Sequence, residues 1–228
     1  MFDFNHFKRL KVDLSRLKAL KHWNSVAAMP IHQQYIRLGC LFIHIPKTAG
    51  ISVSTALFGE QAQHRSLYQY RLIFGNQFVD NSFRFCIARH PLDRFISAAN
   101  FLHTGGITDE DKLFSKTYMN NIGSLDDLVD ILSCNPSAMR YFHFAPQVDY
   151  LCDLSDSPVK IDYVGKFEQL SYDFPRIAKA IGIEAKLPLL NKRKNPTQTL
   201  PFSTNVLRWV EQTYNHDYLF FGYDKSRA

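Results

Sequence analysis

A chain of 228 residues, 46% hydrophobic and 21% charged, can bury one sizeable α/β core, and this balance excludes wholesale disorder. The net charge of +6 suits a polyanionic ligand such as a nucleotide, an acidic glycan or nucleic acid, without choosing among them. Cys40, Cys86, Cys134 and Cys152 form no C-x-x-C pair, which argues against a zinc site or a disulfide framework and for a reducing compartment.

Phe7, Leu10, Leu14, Leu17 and Leu20 recur at helical spacing with Lys8, Arg9, Lys11, Arg16 and Lys18 between them. The pattern predicts a basic amphipathic helix in an N-terminal segment, 1–40, ahead of the main domain, 41–228. That helix either packs across the domain or makes peripheral contact with a membrane surface. No continuous apolar h-region marks a signal peptide, and the apolar runs are too short to span a bilayer. A cytoplasmic protein, at most peripheral to the inner membrane, is expected.

Leu41-Phe42-Ile43-His44-Ile45 reads as a buried strand stopped by Pro46, with His44 in mid-strand. A helix is expected over 51–58, ending at Gly59, and a polar loop over 61–66 leads to a second strand over 83–89. Pro91 opens a helix that Gly105-Gly106 closes. Ser124, with Asp127 three residues on, starts another helix like a capping box. A third strand is expected over 162–167, then helices over 172–181 and 202–214. Strands alternating with helices predict a parallel β-sheet flanked by helices on both faces, with ligands beyond the carboxyl ends of the strands.

The first strand end carries Pro46-Lys47-Thr48-Ala49-Gly50-Ile51-Ser52. Outward-pointing N–H groups at a helix start favour an anion, Gly50 permits close approach, Thr48 and Ser52 add hydroxyls, and Lys47 adds a mobile charge. The nucleotide-triphosphate loop G-x-x-x-x-G-K-[ST] differs, because here the lysine precedes the glycine and the leading glycine is missing. At the second strand end, Arg89 can grip a phosphate bidentately, and Ser97 lies about two turns into the following helix. Two such ends on neighbouring strands imply a ligand with phosphates at both ends.

The segment Ile43-His44-Ile45-Pro46-Lys47-Thr48-Ala49-Gly50 resembles the 5′-phosphosulfate loop of sulfotransferases that use 3′-phosphoadenosine 5′-phosphosulfate (PAPS), especially the carbohydrate O-sulfotransferases. Arg89-His90-Pro91-Leu92-Asp93-Arg94-Phe95-Ile96-Ser97 is similar to their 3′-phosphate motif. The likeness continues more weakly over roughly 41–222. It implies a P-loop-like α/β fold and PAPS as donor, with its 3′,5′-bisphosphate (PAP) as product. By the same resemblance Lys47 contacts the 5′-phosphosulfate and stabilises the leaving phosphate. Thr48, Ala49, Gly50, Ile51 and Ser52 supply backbone and hydroxyl donors, and Arg89 and Ser97 hold the 3′-phosphate. Ile51 departs from the small polar residue often found there, which removes a hydroxyl but leaves the N–H.

Sulfuryl transfer needs an in-line arrangement, stabilised developing charge and a base for the acceptor hydroxyl. Relatives can carry a histidine base between the two motifs, which points to His64; His143 is the second candidate, or shapes the acceptor cleft, with Glu60 and Glu168 behind them. Lys192 and Arg193 could close over the donor's phosphates, meet an acidic acceptor, or lie in a solvated loop. No histidine pair has metal-ligand spacing, so no metal is expected. The acceptor expected is a glycan or glycolipid. A nucleotide kinase would need the standard loop order, and a non-catalytic nucleic-acid binder would need aromatic-basic motifs that are missing here.

Overall fold

The computed structural model describes Val26 and residues 28–153, 160–187 and 200–225. In chain order the elements are α1 (Pro30–Leu38), β1 (Cys40–Ile43), α2 (Gly50–Phe58), α3 (Leu67–Asn81), β2 (Phe83–Ala88) and α4 (Pro91–His103). There follow α5 (Asp109–Phe114), which runs into a π-helical turn (Ser115–Met119), α6 (Leu125–Cys134), α7 (Pro136–Met139) and a 3₁₀ turn (Gln147–Leu151). The last are β3 (Tyr163–Lys166), α8 (Leu170–Ala180), α9 (Thr204–Thr213) and α10 (Asn215–Phe221). The segment read as a basic N-terminal helix lies outside the described residues.

The described residues group into two compact units, one holding those up to Ala88 and from Gln147 to Leu187, the other those from Arg89 to Pro146 and from Leu200 onward. The first unit holds a parallel sheet ordered β1-β2-β3, flanked by helices, as the strand–helix alternation predicts. Ile43 pairs with Cys86, and Cys86 with Val164, so the carboxyl ends of the strands lie along one edge. Every residue of β1 is buried, as are the last four of β2, which accounts for their continuous apolar runs. The Tyr70 hydroxyl of α3 donates to the Phe42 carbonyl at 3.1 Å, and α1 packs on β1. On the other side of the sheet order, Asp173 of α8 accepts from the Tyr163 hydroxyl at 2.8 Å and from the Lys166 N–H at 2.7 Å.

The second unit is helical. Phe95, Ala99 and Leu102 of α4, Leu128 and Leu132 of α6, and Val206 and Val210 of α9 share its core with Phe144 and Tyr214. Ser124 caps α6 and forms the expected capping box with Asp127.

One local reading changes, and three features are additional. β1 ends at Ile43, so His44 is the first residue past the strand rather than a mid-strand residue. The loop expected over 61–66 is present, and between it and β2 lies helix α3, which the sequence reading passed over, started by a Ser66–Gln69 capping box and kinked at Gly75. The helix expected over 202–214 is α9, and a further helix, α10, follows Tyr214 that the sequence reading passed over. Finally, α5 starts with a Thr108–Asp111 capping box that the sequence reading passed over.

Asp173 is buried and bridges α8 to β3. Asp173→Ala strands two donors and is expected to lower unfolding stability by about 1–3 kcal/mol. A guanidinium denaturation midpoint equal to wild type would contradict this.

Candidate functional site

β1 delivers the chain to the carboxyl edge of the sheet, and His44, Ile45 and Pro46 stay buried as it leaves. The backbone then takes positive φ at Lys47 (68°) and Ala49 (64°), the only two such non-glycine residues among those described. Thr48 between them and Gly50 after them keep negative φ. Alternation of this kind turns successive N–H groups toward one concave side, an anion-binding nest. Each left-handed non-glycine residue costs roughly 1–3 kcal/mol, so the surroundings must enforce it. The Thr48 hydroxyl donates to the Ile45 carbonyl at 2.8 Å, and the Val53 N–H donates to the Ala49 carbonyl at 3.1 Å.

The loop opens directly into α2. Its N-cap residue, Ala49, has no side-chain oxygen, and the first turn carries no acidic residue. The positive end of the helix dipole is therefore left for an outside anion. Lys47 is half-buried beside it, Ser52 is half-buried, and Ile51 is 47% exposed. Thr48 is fully buried and gives its hydroxyl hydrogen to the loop itself, so its backbone N–H is the group it can offer a ligand.

His44 and His64 gather at the same loop. A Cβ at position 50 would run into Cδ2 and Nε2 of His44, so the His44 ring fills the space a side chain there would need. His44 Nδ1 lies 2.6 Å from the Ala62 carbonyl, and His64 Nδ1 lies 3.0 Å from the His44 carbonyl. A carbonyl only accepts, so each Nδ1 carries the hydrogen, and in the neutral rings the basic lone pair is on Nε2. The two rings are 4.0 Å apart. His64 is half-buried, whereas His44 is 2% exposed.

In the second unit, Arg89 directly follows β2 in the chain, and Ser97 sits half-buried on α4. Pro91 is the first residue of α4 and Asp93 lies in its first turn, both as expected. His90 occupies the N-cap position but makes no side-chain cap, and its Nε2 instead donates to the Asp224 carbonyl at 3.1 Å. Arg94 is fully buried and donates to the carbonyls of His143 at 3.1 Å and Ala145 at 2.8 Å. The Tyr214 hydroxyl takes the intervening Phe144 carbonyl at 2.8 Å.

His143 is thus held by its backbone, and its Nε2 donates to Asp111 Oδ1 at 3.1 Å. Asp111 also accepts from the Tyr141 hydroxyl at 2.6 Å and from the N–H groups of Ile107 and Thr108. Burial by itself would raise this carboxyl, but hydrogen bonds from Tyr141, Thr108 and Ile107 and the charge of His143 outweigh it and bring it down to about 2. The same geometry raises the Tyr141 hydroxyl, first by burial and then by the adjacent carboxylate. Gly106, at φ +66°, lies so close over Asp111 that a Cβ there would collide with the Asp111 side chain. The rings of Phe101, Tyr141 and Phe142 surround His143. Phe144, next in the chain, is buried.

Of the expected residues, 47–52 and His64 belong to the first unit, and Arg89, Ser97 and His143 to the second. Lys192 and Arg193 lie outside the described residues. Sequence reasoning missed the parts played by His44, Arg94 and Asp111. The signals for them were present in the Thr108-x-x-Asp111 capping pattern, the Gly105-Gly106 pair and the second arginine after Arg89.

Because Asp111 titrates below its ordinary 3.8, its ionised form stabilises the native state above about pH 4. That stability, on the order of 2 kcal/mol, is lost as pH falls from about 4 to 2. Asp111→Asn is expected to melt well below wild type at neutral pH, with the gap closing over that window. A gap that stays constant from neutral pH down to pH 2 would contradict the assignment.

Two comparisons, with curated proteins and with solved structures, gave no match. A family model described as the sulfotransferase family matches residues 39–224. The match takes in β1, the strained loop, both histidines beside it, the α4 motif, and the chain through α10. A loop that favours anions through its own backbone is what transfer of a sulfuryl group requires, and the chain belongs to the sulfotransferase family, as an enzyme that transfers that group.

Proposed function

We propose that the enzyme moves the sulfuryl group of PAPS to a hydroxyl of a carbohydrate or glycan-bearing acceptor, releasing PAP. Sulfotransferases generally draw on PAPS. The observation that carries the reading is the loop of residues 46–50, where left-handed Lys47 and Ala49 and a helix start without a side-chain cap suit an anion. In this reading the N–H groups of 48–52 take the 5′-phosphosulfate. Lys47 stabilises the charge that grows on the bridging oxygen as the S–O bond breaks. Arg89 and Ser97 hold the 3′-phosphate, Arg89 through its two-pronged guanidinium.

The acceptor hydroxyl attacks sulfur in line with the leaving phosphate and passes its proton to Nε2 of His64. His64 is favoured over His143 by two observations. Its Nδ1–H is committed to the His44 carbonyl, which puts the basic lone pair on Nε2, and it sits at the loop itself. His143 is 5% exposed and has its Nε2 on Asp111. The carbohydrate character of the acceptor rests on the resemblance of the motifs around Lys47 and Arg89. A glycan or glycolipid precursor met in the cytoplasm, at most beside a membrane surface, fits it.

Release of PAP from PAPS, followed over a panel of oligosaccharide acceptors, tests the assignment. Lys47→Ala is expected to lower kcat about 10²–10³-fold. His64→Ala is expected to lower it about 10²–10⁴-fold while leaving PAP affinity near wild type. Full activity in Lys47→Ala would refute the leaving-group role, and normal turnover in His64→Ala would transfer the base to His143.

A further inference from the structure

We propose that His44 is a positioning residue that ties the anion loop to the segment carrying the base. The inference rests on the reading of His64 as that base. Four contacts converge on this one buried side chain and its carbonyl. The ring lies flat with Phe42, two residues back on the same side of the chain, at 5.6 Å and 14°. Another neighbour is Gly50, the first residue of α2, whose missing side chain leaves the ring its place. Its Nδ1–H holds the Ala62 carbonyl, and its carbonyl holds the Nδ1–H of His64.

Ala62 is fixed from the other side as well. Its N–H donates at 3.0 Å to the Ser54 hydroxyl, one turn along α2 from Gly50. The contacts form a closed circuit from loop to α2, through Ser54 to Ala62, to His44, and back beneath Gly50. His64 is two residues from Ala62 and is bonded to the same histidine. The circuit sets both where His64 stands relative to the nest and which of its nitrogens is basic. An Asn at position 44 would reproduce the N–H donor to the Ala62 carbonyl but not the ring that fills the space at Gly50.

Three variants and two readouts test this. His44→Leu keeps the volume and removes the donor, whereas His44→Asn restores an N–H at the same branch point. Ser54→Ala loosens Ala62 without touching His44 and serves if His44→Leu does not fold. Displacement of a catalytic group by about 1 Å can cost about 10²-fold, so His44→Leu is expected to lose that much in kcat with PAP affinity by calorimetry near wild type. Ser54→Ala should show a smaller loss of the same kind, and His44→Asn should recover most of the rate. Imidazole ¹⁵N shifts should show His64 with its hydrogen on Nδ1 in wild type and a mixture of tautomers in His44→Leu. Equal loss in the Leu and Asn variants, or a loss confined to PAP affinity, would overturn the proposal and leave only packing beneath Gly50. Unchanged His64 shifts in His44→Leu would overturn it too. Full activity in His64→Ala would instead remove the base reading, while the nitrogen shifts would still report whether His44 fixes that ring.

Discussion

Between the end of β1 and the first turn of α2, the backbone passes twice through the left-handed region without a glycine to ease it, at Lys47 and at Ala49. Such residues persist only where their surroundings leave no relaxed alternative. Here β1 is buried along its whole length, Thr48 is bonded back to Ile45, and Gly50 is pressed against His44. The strain is therefore enforced by the sheet below and the helix ahead. The result is a row of N–H groups shaped for an anion before any ligand arrives. The glycine is not needed for a turn. It is needed because an imidazole occupies the place of its side chain.

Two histidines of similar standing in the sequence come out differently for the same physical reason. His143 has its side chain on a low-titrating carboxylate, its carbonyl on a buried arginine, and aromatic rings around it. Such a group is held in place, and Asp111, Tyr141 and Arg94 read as a lock on the segment from 143 to 145. His64 is half-buried at the loop, with one nitrogen committed to a carbonyl. That environment leaves a proton acceptor's electronics in place, which is why the proposed chemistry runs through it. Arg94 carries a related lesson: it stands in the same motif as Arg89, yet its guanidinium is spent on backbone carbonyls inside the helical unit.

Much of this was legible in the amino-acid sequence. The apolar runs of β1 and β2, the stop at Gly59, the Pro91 start and the Ser124–Asp127 box are local signals, and local signals decide strands and helix ends. Helix α3 was hidden because its face is weakly apolar and Gly75 breaks its period, so the capping pair Ser66 and Gln69 was its sole clear mark. The loop of 46–52 running into a helix was legible from Pro46, Gly50 and its small residues. The contacts of His44 with Gly50 and Ala62 were not, since they join positions 6 and 18 residues away through space. The Asp111–His143 pair spans 32 residues and was hidden for the same reason.

The central claim is that the backbone of the β1–α2 loop, shaped by its two left-handed residues, receives the donor's anion. Amide ¹H–¹⁵N spectra of the whole chain, titrated with PAP, test it most directly. The account predicts saturable movement of the N–H signals of Thr48, Ala49, Gly50, Ile51 and Ser52, among the largest in the chain. Saturable PAP binding that leaves those five amides unmoved would contradict it.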